Sequence, residues 1–175
     1  MPLRKWFRGQ RKVLSVAVLP RRASCFRGEL SFQLPADFRT RRQTADRTEF
    51  SGSRSGMKLT VRRMPFSVPV RSLTAADFQL TFRNILPMRT VPSVRYGFLR
   101  RSPTVTAVWR SGADAQTLLH LIQMRGTVYL LLFTEIPADG LATAEGITQS
   151  AELRGYKVSS MNLYRGAAPT PAKGS

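Results

Sequence analysis

His120 and Cys25 are the only histidine and the only cysteine in the 175-residue chain. A catalytic base needs a placed partner. Nothing around Leu118–Ile122 supplies one, so a structural or partly exposed histidine is expected at His120. One histidine and one cysteine also exclude the usual zinc sites and any internal disulfide. Cys25 follows Ala23 and Ser24 behind a short apolar run, which leaves it either a candidate for lipid modification or an inert thiol. The carboxylates Asp37, Asp46, Glu49, Asp77, Asp114, Glu135, Asp139, Glu145 and Glu152 are dispersed. No close pair suggests acid–base work or a hard-cation cage. No phosphate-cradling Gly-rich loop and no Gly-x-Ser-x-Gly elbow occurs. The sequence thus predicts no catalytic residue, no cofactor, no metal site and no enzyme.

Charge is the other chemical signal. The chain carries 28 Lys or Arg against 10 Asp or Glu, a net of +18. Residues 1–110 hold 23 basic and 5 acidic residues, and residues 111–175 hold 5 of each, so the whole excess lies in the first part. A basic surface attracts nucleic acid, acidic lipid or an acidic protein; an Arg-rich proteome gives the same composition without function. The densest group is Arg39, Arg41, Arg42, Arg47, Arg54, Lys58, Arg62 and Arg63. If Met57, Leu59 and Val61 face the core, Lys58 and Arg62 point outward together. The group is then a candidate anion-binding face, or else the solvated side of a hairpin. Sheet-type nucleic-acid modules interleave aromatics with such basics. Phe32 and Phe50 fall on apolar faces instead, which favours an acidic protein or another polyanion over RNA or DNA.

The elements that must carry these residues follow from periodicity. Leu30, Phe32 and Leu34 alternate before Pro35, giving a strand; a weaker strand near Thr48–Phe50 and the alternating Met57, Leu59 and Val61 flank the Ser51–Gly56 turn, giving a hairpin. Thr74 and Asp77 are spaced as a capping box. Ala75, Phe78, Phe82 and Ile85 form one helical stripe before Pro87. Strands follow at Val94–Arg100 and Val105–Arg110. Residues 116–125 and 127–135 are strands apolar on both faces and therefore covered on both, joined tightly at Arg125–Gly126. A last helix spans about Asp139–Leu153, with Leu141, Ala144, Ile147 and Ala151 on one side and Gly155 as its C-cap.

The expected fold is therefore α+β, an antiparallel sheet flanked by helices. Residues 1–27 read as a basic leader, resembling a signal or transit segment or a disordered arm. Residues 28–158 form the domain, and 159–175 a disordered tail. The region Leu118–Ile136 is interrupted by His120, Gln123, Arg125 and Gly126, so no transmembrane helix is expected.

This element order resembles the PsbP/DcrB-like superfamily over residues 28–158. The carrying stretches are Gly28–Pro35, Met57–Arg63, the Leu73–Leu86 helix and Gly126–Pro137. The last looks most like small bacterial cell-envelope lipoproteins of that group. The resemblance implies an α/β/α sandwich and a non-enzymatic binding or assembly module. Its members include photosystem accessory proteins, a nuclear-transport factor and secretion-system chaperones. No position-specific motif carries a functional residue over. Localisation in the cell envelope, secreted or lipid-anchored, follows from the resemblance, with organelle import or the cytosol as alternatives. The other reading is a polyanion-binding component of an organelle or ribosome-associated assembly.

Overall fold

Ten strands and two helices alternate along the chain in a computed structural model that describes residues 20–154. The first strands are β1 (Arg21–Cys25), β2 (Leu30–Leu34), β3 (Phe38–Gln43), β4 (Arg47–Gly52) and β5 (Lys58–Pro65). A 3-10 turn at Val70–Ser72 and helix α1 (Ala75–Phe82) come next. Then follow β6 (Ser93–Leu99), β7 (Ser102–Arg110), β8 (Ala115–Met124), β9 (Thr127–Pro137), helix α2 (Leu141–Gln149) and β10 (Glu152–Leu153). The strands form a long antiparallel sheet, ordered β3-β4-β5-β9-β8-β7-β6, and a small one, ordered β1-β2-β10. This is the expected α+β architecture.

The long sheet is the middle layer. Strands β8 and β9 lie at its centre, and their apolar residues pack on both faces. Leu118, Ile122, Tyr129, Leu131 and Phe133 pack with the small sheet and α2. Leu119, Leu121, Val128 and Leu130 pack with Val70 and Phe78 on the other face. A centre covered twice explains why these strands do not alternate polar with apolar. Their hairpin turns on Arg125 (φ 49°) and Gly126 (φ 73°). Two successive positive φ values match the right-handed twist of the paired strands.

Helix α1 starts where the capping box places it. The Thr74 hydroxyl accepts from the Asp77 N–H (3.4 Å), and the Asp77 carboxylate accepts from the Thr74 N–H (2.7 Å). The helix is shorter than its stripe suggested. It ends at Phe82, and Ile85 is 71% exposed rather than packed. Pro87 disfavours helical geometry in the residue before it, and the chain leaves through a turn closed by Leu86 N–H to the Phe82 carbonyl (2.8 Å). Helix α2 also stops early, at Gln149. There the Ser150 hydroxyl donates to the Ile147 carbonyl (2.7 Å) and accepts from the Gln33 N–H (2.8 Å) of β2. Leu153 belongs to β10 instead.

The start of the folded part also moves. Residues 21–25, assigned to a leader, form β1, which pairs with β2 from Arg21↔Leu34 to Cys25↔Leu30. Ala23 and Cys25 are buried while Arg22 and Ser24 are exposed, a period-two pattern too short and too basic to stand out. The earlier leader residues, Gly155 and the 159–175 tail lie outside the described residues. Among the described residues no helix is long and apolar enough to cross a membrane.

Candidate functional site

The 3-10 turn and α1 cover only part of one face of the long sheet. Beyond them, β3, β4 and β5 present the same face to solvent. Register fixes which residues share it. Arg39 pairs with Ser51, which pairs with Lys58; Arg42 pairs with Glu49, which pairs with Thr60; Arg47 pairs with Arg62. Residues directly opposite in an antiparallel pair lie on one face. A bulge between Thr40 and Arg42 adds Arg41, whose Nε donates to the Ser51 hydroxyl at 2.6 Å. Six of the eight expected basic residues therefore share one half-face: Arg39, Arg41, Arg42, Arg47, Lys58 and Arg62.

The other two lie elsewhere. Arg54 sits in the β4–β5 turn, where its backbone N–H donates to Asp37 Oδ2 (2.9 Å). Arg63 emerges on the opposite face. It reaches Glu29 at 2.7 Å and lies over the Phe26 ring at 5.6 Å. It braces the small sheet against the long one.

The acids on the basic half-face are few. Glu49 pairs with Arg47 at 2.6 Å, and Glu135 pairs with Lys58 at 2.9 Å. Solvent reaches both pairs, Lys58–Glu135 freely and Glu49 in part, so each holds its cation weakly. Glu135 arrives there through a bulge in β9, at a left-handed φ of 56°. An open trough of about 540 Å³ runs over this surface, lined in part by Arg41, Arg47, Glu49, Lys58 and Thr60. Strand β3 was not legible in the sequence. After Phe38 every residue is exposed, so it shows no apolar alternation. It is an edge strand, and its bulge and arginines suit an edge that must not pair further.

His120 lies on the other face, in a cavity of about 380 Å³ between β6–β8 and α2. It is buried, not partly exposed (8%). Its Nδ1 is 2.7 Å from the Thr106 hydroxyl. The Arg95–Glu145 ion pair also lines the cavity. Burial, then the Arg95 charge, pulls the imidazole down to about 4. Such a group is neutral at ordinary pH and a weak base, though the Thr106 contact has the reach of a nucleophile–base pair. Sequence spacing could not have found Thr106, which joins His120 through β7–β8 register.

Cys25 is a core side chain at 1% exposure, and burial pushes its thiol up to about 11. Among the described residues no group of three His, Cys, Asp or Glu could hold a metal ion.

No family model matches the chain. No curated protein matches it in sequence. Among solved structures it is similar to the solution structure of cyanobacterial PsbP (CyanoP) from Synechocystis sp. PCC 6803. The TM-score is 0.59 at 12% identity, over 83% of this chain and 98% of that one. A crystal structure from Bacteroides thetaiotaomicron VPI-5482 aligns with TM-score 0.46 and 11% identity, over 78% of this chain and 49% of that one. The fold is PsbP-like.

Proposed function

We propose that this PsbP-like domain is a non-enzymatic binding and assembly module that takes an acidic protein on the basic half-face of β3, β4 and β5. The observation that carries the reading is Arg47 directly opposite Arg62, on a surface shared with Arg39, Arg41, Arg42 and Lys58. Like charges directly opposite one another destabilise a sheet. An acidic partner turns that cost into attraction and steers the encounter.

The half-face suits carboxylates better than bases. Phe50 lies on the opposite side of β4, in edge contact with Phe32 at 5.8 Å, and both are buried. The basic surface therefore lacks the stacking platform that single-stranded nucleic acid uses. The non-enzymatic part rests on the dispersed carboxylates and the weakly basic His120. Association with the cell envelope belongs to the same proposal. It rests on the resemblance to envelope lipoproteins and on the acid-free, Arg-rich residues that precede β1.

Calorimetric titration with poly-glutamate and with single-stranded RNA of equal charge tests the reading across salt. Tighter binding of poly-glutamate, weakening with salt, is expected. Tighter binding of RNA, with the steep salt slope of phosphate contacts, would replace it with the polyanion reading. No binding of either at low salt would end both. Sequencing the mature N-terminus tests the envelope part, which a native cytosolic protein starting at Met1 would overturn.

A further inference from the structure

A second surface adjoins the basic half-face at Arg62. Between α1 and the long sheet runs a slot of about 320 Å³. Phe78 and Phe82 form its helix wall, and Leu121, Val128 and Leu130 its floor. Charged side chains enter it at two positions, Arg62 and Asp77. The Asp77 carboxylate is already engaged, accepting from the Thr74 N–H (2.7 Å) and hydroxyl (2.8 Å). Arg62 is different, because its Nε is buried and has no hydrogen-bond partner. Buried donors in native proteins are nearly always paired. A guanidinium lining an apolar slot complements a ligand that is greasy along its length and anionic at its head.

We infer that the slot binds a free single-chain amphiphile of the long-chain carboxylate class. The alkyl chain lies between Phe78, Phe82 and the sheet, and the carboxylate accepts from Arg62. The volume lies at the lower end for small-molecule sites, which suits one alkyl chain rather than a two-chain lipid. Asp77 repels a carboxylate head, so Arg62 alone fixes where the head sits. This inference shares Arg62 with the acidic-protein reading, and Thr81, which lines the slot but is not among the half-face residues, separates the two.

Trp109 provides the readout. Its ring lies 6.1 Å from that of Phe82, a wall of the slot. In a Trp6→Phe background it is the only tryptophan. Laurate, titrated below its micelle concentration, is expected to change Trp109 emission saturably at one equivalent. Dodecyl maltoside, with the same chain and no charge, should bind at least tenfold more weakly. Arg62→Gln should reduce laurate to the level of the maltoside. Thr81→Phe, an exposed change at the slot, should abolish both responses while circular dichroism and poly-glutamate binding stay unchanged. A flat laurate titration, or laurate binding indifferent to Arg62→Gln, overturns the inference. A Trp109 signal that follows protein concentration alone would put a second copy in the slot and overturn it equally.

Discussion

The Tyr129 hydroxyl donates to Glu29 Oε2 across 2.8 Å, joining the centre of the long sheet to the turn between β1 and β2. Arg63 donates to the other oxygen of the same carboxylate at 2.7 Å. Phe26 packs on Tyr129 with ring centroids 6.0 Å apart. The group is half-buried and locks two sheets together at one point.

Tyr129→Phe should therefore destabilise the domain by about 2 kcal/mol, the range for a hydrogen bond to a charged group. Urea unfolding checks it, with a lower midpoint and an unchanged slope. A midpoint equal to the parent's would mean that the Glu29 contact contributes nothing to stability.

The opposed arginines predict the reverse sign. Arg62→Thr removes a like-charge neighbour of Arg47 and places a β-branched residue in the strand. A gain of about 0.5 kcal/mol is expected, accompanied by weaker poly-glutamate binding. A loss of stability would show that Arg47 and Arg62 do not repel in the folded state.

His120 predicts a pH dependence. Its folded value of about 4 lies below the ordinary 6.5. Between those values the unfolded chain binds the extra proton. The stability contributed by neutral His120 is thus complete above about pH 6.5 and is lost as pH falls toward 4. The loss is at most about 3 kcal/mol across that window. His120→Gln should flatten this part of the stability profile, and an NMR titration of the ring should show no protonation above pH 5.5.

Cys25 predicts an unreactive thiol. With burial raising it to about 11, the folded protein at pH 8 should leave a disulfide reagent unconsumed, and urea should release one equivalent. Fast reaction in the folded state would mean that β1 opens readily.

The sequence made the centre of the fold legible because burial there leaves strong patterns. Leu118–Ile122 and Val128–Phe133 are apolar on both faces, and Thr74 with Asp77 announces a helix start through local chemistry alone. The margins were harder. In β1 the alternation is carried by Ala23 and Cys25, small residues between charged or polar ones. In β3 solvent reaches every residue after Phe38, so no apolar stripe exists to detect. The basic residues could be named from sequence, but their grouping required register. Only the pairing of β3, β4 and β5 shows that Arg47 faces Arg62, or that the adjacent Arg63 belongs to the opposite face. Glu135 entered through a bulge that spacing cannot reveal.

The central claim is that the basic half-face, and not net charge in general, receives the acidic partner. Two triple variants of equal charge separate these. One changes Arg39, Arg41 and Arg42 to Gln on the half-face; the other changes the exposed Arg83, Arg89 and Arg101 to Gln away from it. Poly-glutamate affinity at physiological salt is the measurement. The account predicts at least a tenfold loss for the first variant and less than twofold for the second. Equal losses in the two would contradict it.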